Sequence, residues 1–324
     1  MSETGLSEMG TIGFGLLVLL AAVGGAAFLT WFERRLLGIW QDRPGPNRLG
    51  PFGVFQVLAD MLKLLTKDDW VPPFADKVVF VFAPATIVVA MMLGFAVVPF
   101  SSELYILDVN IGLLFFLGMT SLAVYSVLLG GLASNNKYAL LGGLRSAAQM
   151  VSYEVFMGLS LMGVVMLSGS FSLQDIVRAQ QDLWFCFSQI LGLYVFIIAG
   201  IAESHRLPFD LPEAEHELTA GFHTEYGGMK FAMFMLGEYL GLILISCMIT
   251  TLFFGGWLGP DFLPGVVWFL LKTGFFICFF ILLRAAIPRP RYDQLMSLGW
   301  KYMLPLTLIN LAGTGAIALW MQGG

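Results

Sequence analysis

The stretch AMFMLGEYLGLILISCMITTLFFGGW (residues 232–257) places a single charged side chain, Glu238, inside a long apolar run. About 20 apolar residues are enough for a helix to cross the roughly 30 Å hydrocarbon core of a bilayer. Comparable runs recur along the 324-residue chain, which is 58% hydrophobic and 12% charged, with a mean hydropathy of +0.81. The runs are continuous rather than alternating, which disfavours the strands of a membrane barrel. The sequence therefore predicts an all-α polytopic membrane protein.

We expect residues 1–324 to form a single integral membrane domain with about eight transmembrane helices. The first dozen residues contain acids but no Lys or Arg. The basic region of a cleavable signal peptide is therefore missing, and the first apolar run should be retained as a helix. The predicted spans are 11–33, 78–99, 112–133, 147–170, 186–205, 232–257, 264–286 and 302–321.

The basic residues predict how the helices are oriented. Of the 17 Lys and Arg residues, all except Arg178 and Lys272 lie in or beside the connections after spans one, three, five and seven. Because connections rich in Lys and Arg stay in the cytoplasm, we expect both termini on the opposite side of the membrane. The residues concerned are Arg34, Arg35, Arg43, Arg48, Lys63, Lys67, Lys77, Lys137, Arg145, Arg206, Lys230, Arg284, Arg289, Arg291 and Lys301.

Residues 51–67, PFGVFQVLADMLKLLTK, are too short to cross a bilayer comfortably and are strongly two-faced. Gln56, Asp60, Lys63 and Lys67 recur at helical spacing, with apolar residues between them. Such an amphipathic helix lies at the membrane surface, here on the cytoplasmic side. A plain interfacial anchor is one interpretation. Because the stripe is narrow and includes an acid, we favour a stripe that lines a wet cavity between helices.

Three carboxylates and one ammonium group fall inside or at the end of predicted spans. Glu154, Glu203 and Glu238 lie toward the cytoplasmic half of spans four, five and six, and Lys272 lies within span seven. Charges inside a bilayer are costly and normally face a cavity or a partner. Each acid alone is consistent with a structural ion pair. Three acids on separate helices favour a shared hydrated path that exchanges protons near neutral pH.

The connection between spans five and six, residues 206–230, is an acidic cytoplasmic loop. With Glu203 at its edge, it contributes Asp210, Glu213, Glu215, Glu217 and Glu225. Local structure explains some of these acids, with Asp210 capping a short helix that begins near Pro212. Helix capping does not account for all of these acids. We therefore predict a loop that conducts protons or lines a substrate cavity.

Several kinds of site are not indicated. Cys186, Cys247 and Cys278 lie far apart without a CxxC pair, so no iron–sulphur cluster is expected in this chain. No glycine-rich phosphate motif follows a strand-like segment, which argues against a nucleotide site. All 3 histidines fall in the acidic loop, but their spacing matches no metal-ligand pattern, so no metal site is predicted. Nucleic acid is not an expected partner.

Several stretches together resemble one family. They are FERRLLGIWQDRPGPNRLGPFG (32–53), LADMLKLLTKDDW (58–70), SNNKYALLGGLRSAAQMVSYEV (134–155), AESHRLPFDLPEAEHELTAGFHTEY (202–226), GEY (237–239) and PRPRYDQLMSLGWKYMLPLTLIN (288–310). In order and over nearly the whole chain, they are similar to the quinone-tunnel membrane subunit of respiratory complex I. That family comprises the H-type subunit of bacterial NADH:quinone oxidoreductase and subunit one of the mitochondrial enzyme.

The resemblance implies a subunit of a proton-translocating NADH:ubiquinone reductase, without a redox centre of its own. FMN and the iron–sulphur clusters would belong to partner subunits, and quinone, expected to be ubiquinone, would be the substrate. The terminal-cluster subunit and the large quinone-site subunit would form the quinone chamber with this chain. Adjacent small membrane subunits and lipid would surround it.

The resemblance also implies site residues, none of which would be catalytic. The quinone cavity would be lined by Glu33, Arg34, Arg35, Arg43, Arg48, Asp60, Lys63, Glu213, Glu215 and Glu225. The proton path would contain Glu154, Glu203, Glu238 and, as a buried partner deeper in the membrane, Lys272. Arg289 and Arg291 would support docking of the peripheral arm.

Two alternatives remain open on the sequence alone. The homologous membrane subunit of an energy-converting hydrogenase or formate hydrogenlyase would share the fold but have different partners. An autonomous proton-coupled transporter would show repeated halves and interrupted helices near the midplane. We find no convincing internal repeat, and the acids cluster toward one side.

Overall fold

The fold is helical, as predicted. The computed structural model describes residues 8–210, 219–260 and 262–323, and no strand occurs in that part of the chain. Seven of the described helices are long and apolar enough to cross a membrane, and an eighth, Ile190–Glu203, is apolar but shorter. The prediction of an all-α polytopic membrane protein is therefore confirmed.

Twelve α-helices are described in chain order. They are α1 (Glu8–Trp40), α2 (Gln56–Thr66), α3 (Lys77–Gly94), α4 (Gly112–Ala133), α5 (Lys137–Ser168), α6 (Leu173–Arg178), α7 (Phe185–Ser188), α8 (Ile190–Glu203), α9 (Gly228–Phe253), α10 (Gly265–Ala286), α11 (Tyr292–Leu298) and α12 (Leu304–Gly323).

Helix α9 forms the centre of the bundle and is the most enclosed of the membrane-crossing helices. It packs against α1, α3, α8 and α10. Helix α5 forms a second centre, packing against α4, α8 and α12, while α3 packs on α4. Because Glu238 belongs to α9 and Glu154 belongs to α5, the bundle places these acids on its two central helices.

Short polar residues and one glycine determine several helix ends. Asp76 accepts hydrogen bonds from two backbone N–H groups in the first turn of α3, and Asn136 accepts one from Tyr138 in α5 (3.0 Å). Gly169 ends α5 in the left-handed conformation, with φ 70°. Because Asn136 caps α5, that helix begins at Lys137, well before the predicted start at residue 147.

The structure interrupts one predicted span and extends another toward its N-terminus. The span at 186–205 consists of α7 and α8, which meet at Gln189. Gln189 is buried, donates a hydrogen bond to Thr314 (2.8 Å) and accepts one from Asn310 (2.9 Å). These two side chains of α12 therefore hold the break. The last predicted span, 302–321, is preceded by α11 and a π-helical turn, Gly299–Met303.

Candidate functional site

Glu33, near the C-terminal end of α1, lies at the centre of a buried charge cluster. Its side chain is 2% exposed. Arg206 donates to Glu33 Oε2 at 2.6 Å, Arg284 binds Oε1, and the Tyr239 hydroxyl donates to Oε2 at 2.9 Å. One carboxylate thus joins α1, α9, α10 and the segment that follows α8. We call these four residues the Glu33 cluster.

Arg206 connects this cluster to a second acid. It is 8% exposed, and its guanidinium carbon lies 4.3 Å from the centre of the Tyr239 ring. Burial acts to lower the pKa of Arg206, but the charge of Glu33, helped by Tyr239 and Glu238, outweighs burial and raises that pKa. The guanidinium therefore stays charged, between Glu33 on α1 and Glu238 on α9. Sequence reasoning used Arg206 only for orientation and missed this role.

Glu203 and Glu154 form a second acidic region beside the cluster. Glu203, the last residue of α8, is 3% exposed, and neither of its carboxylate oxygens has a hydrogen-bond partner among the described residues. The charge of Glu154 on α5 acts on Glu203, and Glu154 itself is bound by the Ser121 hydroxyl of α4. A buried carboxyl without a partner is costly. This pair therefore needs water or a proton.

The polar stripe of α2 turns toward α1. Arg34 donates to Asp60 Oδ2 at 2.8 Å, and Gln56 donates to Asp60 Oδ1 at 3.0 Å. The guanidinium carbon of Arg35 lies 5.7 Å from the centre of the Phe52 ring. The structure therefore brings Asp60 to Arg34 of α1, which directly follows Glu33 in the sequence. The remaining predicted cavity residues of this region are exposed: Arg43, Arg48 and Lys63.

The acidic loop is described only at its two ends. Glu225 accepts a hydrogen bond from Asn136 (2.8 Å), which ties the loop to the start of α5. Asp210 accepts one from Arg289 at 2.7 Å. Other acids of the loop and the predicted helix start lie outside the described residues: Pro212, Glu213, Glu215 and Glu217.

The two arginines predicted to dock the peripheral arm differ in their surroundings. Arg289 is engaged within the chain, since it binds Asp210 and so fastens the acidic loop to the segment before α11. Arg291 is 81% exposed at its side chain, with Asp293 at 4.0 Å. Only Arg291 therefore presents a largely exposed guanidinium to a partner.

Lys272, predicted to be a buried partner of the acids deeper in the membrane, donates in the structure to backbone carbonyls. Its ammonium group is 4.5 Å from the centre of the Trp184 ring. Arg284, which reaches Glu33, follows Lys272 by three turns of α10, or about 18 Å along the axis. The carbonyls at the end of a helix lack intrahelical partners, and Lys272 satisfies carbonyls just beyond α9. Its acceptors are the backbone oxygens of Phe254 (2.7 Å), Gly256 (3.0 Å) and Leu258 (2.6 Å).

One face of α5 holds the turn after α8. Gln149 donates to the carbonyls of Ala202 (3.0 Å) and Phe209 (2.9 Å). His205 Nε2 lies 2.7 Å from the Ser146 hydroxyl. Burial lowers the pKa of His205 to about 4, helped by the nearby His223, so the His205 ring is neutral at pH 7. Polar residues such as Gln149 within an apolar span indicate from the sequence that this face of α5 has a polar contact. The sequence does not indicate that the contact is with the turn after α8.

Comparison with known proteins shows which family the chain belongs to. A family model described as NADH dehydrogenase matches residues 14–315, a range that contains the Glu33 cluster and the acids Glu154, Glu203 and Glu238. The chain is 64% identical over 302 residues to a Methylococcus capsulatus protein named as the H-type subunit of NADH-quinone oxidoreductase, and the match covers 93% of this chain and 96% of that protein. The chain therefore belongs to the NADH dehydrogenase family, as a homologue of that membrane subunit of NADH-quinone oxidoreductase.

Proposed function

We propose that this chain forms the membrane wall of a quinone-access chamber in a proton-translocating NADH:quinone oxidoreductase. It links reduction of the quinone to a path of buried carboxylates. Family membership and the name of the Methylococcus relative supply the complex and the substrate class. The observation that carries the proposal is the Glu33 cluster, in which four separate elements meet at one buried carboxylate beside further buried acids.

The surroundings of α2 suit both ends of a quinone. A quinone has a polar headgroup and a long apolar tail, and such ligands bind in apolar slots with a few placed polar groups. The Arg34–Asp60 pair provides charge beside α1. Leu58, Leu62 and Leu65 of α2 are exposed and provide an apolar approach. We assign residues 51–67 to the cytoplasmic membrane surface and ubiquinone to the chamber.

The exposed basic residues provide a surface for the peripheral arm. Arg43, Arg48, Lys63 and Arg291 are all exposed. The terminal-cluster subunit and the large quinone-site subunit would cover them and carry the iron–sulphur chain, while FMN belongs to a further partner. Small membrane subunits would pack on other faces. With eight crossings and the basic end in the cytoplasm, both termini lie on the periplasmic side.

The coupling is electrostatic. Reduction of a quinone creates negative charge and consumes protons. At an effective dielectric constant of about 20, a unit charge about 10 Å away changes the free energy of protonating a carboxyl by about 1.7 kcal/mol. That is more than one pK unit. A charge formed in the chamber thus redistributes protons among Glu33, Glu238, Glu203 and Glu154 without moving any helix.

Glu203→Gln tests this coupling. We expect quinone-dependent NADH oxidation and proton pumping to fall together by about tenfold, which corresponds to about 1.4 kcal/mol in the activation barrier. NADH oxidation with an artificial electron acceptor, which bypasses the quinone, should be unchanged. The measurement uses the complex in proteoliposomes. Glu103→Gln, at an exposed acid in the connection between α3 and α4, is the matched control. Full turnover and pumping in Glu203→Gln would contradict the proposal.

The hydrogenase-type alternative makes a different prediction about partners. The extensive identity with a protein named for NADH and quinone favours the complex I assignment. Purification of the complex through a tag on this chain should recover a flavin-containing NADH module. Recovery of a nickel–iron hydrogenase instead would establish the alternative.

A further inference from the structure

We propose that Ser146 and His205 are positioning residues that lock the turn after α8, and with it Glu203 and Arg206, in the geometry the proton path needs. This inference rests on the proposed function and adds two residues to it. It concerns the side chains that hold the turn, rather than the charged groups themselves.

The backbone at His205 has an unusual conformation. Its φ of 48° lies in the left-handed region, which non-glycine residues seldom adopt. Such a conformation persists only when surrounding contacts hold it. His205 is 4% exposed and Ser146 is fully buried, so their 2.7 Å hydrogen bond is shielded from water. The neutral ring offers one donor and one acceptor nitrogen, either of which pairs with a hydroxyl.

The same face of α5 forms hydrogen bonds with the turn at three points. Gln149, three residues after Ser146 and on the same side of the helix, holds the carbonyls of Ala202 and Phe209. The hydrogen bond between Ser146 and His205, which we call the lock, lies between these two points. The turn is therefore fixed at its start, middle and end by one helix.

Two functional groups project from this fixed turn in different directions. Arg206 follows His205 directly and binds Glu33 on α1. Glu203 precedes His205 by two residues and interacts with Glu154 on α5. A displacement of the turn would therefore disturb both the Glu33 cluster and the second acidic region. Proton transfer is sensitive to displacements of about 1 Å, so the lock acts on the rate through these neighbours.

Ser146→Ala tests the lock, because it removes the hydroxyl with little change in volume. We expect kcat for quinone reduction, normalised to the amount of assembled complex, to fall about fivefold. This is the effect of losing one buried hydrogen bond. The quinone KM should stay within about twofold, since the lock makes no contact with substrate. Ser146→Thr, which keeps a hydroxyl, should restore most of the rate. Ser160→Ala is the matched control, because Ser160 is equally buried on α5 and bonds only to its own helix.

His205→Asn tests the other partner. Asparagine tolerates a positive φ, but its shorter side chain does not reach Ser146. It should lower kcat as Ser146→Ala does, and the double variant should be no worse than either single variant. Turnover per complex equal to the Ser160→Ala control in both single variants would overturn the lock. A lower yield of complex with normal turnover per complex would also overturn it, because that result indicates packing alone. Glu203→Gln, measured in parallel, separates this failure from failure of the proposed function.

Discussion

Replacement of Glu33 by glutamine is expected to remove nearly all quinone-dependent turnover. The change removes the carboxylate that is hydrogen-bonded to Arg206, whose side chain is 9% exposed. Breaking a buried ion pair by removing one partner costs about 3–5 kcal/mol, which corresponds to a loss of about 100-fold or more in rate if the cluster acts in the rate-limiting step. The free-energy cost at Arg284 is smaller, because its side chain is 40% exposed and water can replace the carboxylate there.

The measurement is NADH oxidation by membranes that contain the complex, with quinone and with an artificial acceptor. The artificial-acceptor rate reports how much NADH module is assembled, so the ratio of the two rates isolates the quinone-dependent step. Glu33→Asp should recover only part of the turnover, because a shorter side chain does not reach both arginines. A normal ratio in Glu33→Gln would show that the cluster is not needed for quinone reduction.

Replacement of Lys272 by methionine is expected to lower the amount of assembled complex strongly, with normal turnover in what remains. The variant removes the ammonium donor of three backbone carbonyls beyond α9. Hydrogen bonds to a charged group contribute about 1.5–3 kcal/mol each. Because the site is only half-buried, water recovers part of this, and we expect a loss of about 2–4 kcal/mol in stability.

Blue-native electrophoresis and thermal unfolding of the purified complex measure this effect, with Lys77→Met at an exposed lysine as the control. The alternative is the role inferred from the sequence, in which Lys272 is a member of the proton path. That role requires normal assembly with defective pumping. Such a result would show that the contacts of Lys272 with the end of α9 do not explain its presence.

The fold was largely predictable because the apolar runs are long and nearly free of charge. The predicted span 112–133 coincides with α4, and 264–286 differs from α10 by one residue. The break at Gln189 was not predictable, because hydropathy does not show that a buried amide meets Asn310 and Thr314 from the far end of the chain. The early start of α5 at Lys137 was missed because residues between 137 and 147 are less apolar than a span requires.

The candidate site was predictable in its acids but not in its pairings. An intramembrane carboxylate stands out against its neighbours, so Glu154, Glu203 and Glu238 were found from the sequence alone. Glu33 entered only through the family motif, because it is the last residue of the first predicted span and lies next to Arg34 and Arg35. The partners Arg206 and Arg284 come from distant segments, and sequence spacing says nothing about which cation reaches which acid.

Photoaffinity labelling with a quinone analogue in the intact membrane complex tests the chamber most directly. We expect label on peptides from the end of α1 through α2, residues 33–66, and from the turn at residues 203–210. An excess of unlabelled quinone should suppress this label, and Glu33→Gln should weaken it. Label confined to partner subunits, or spread over the outer helices α4 and α12 without competition, would contradict the proposal that this chain walls the quinone chamber.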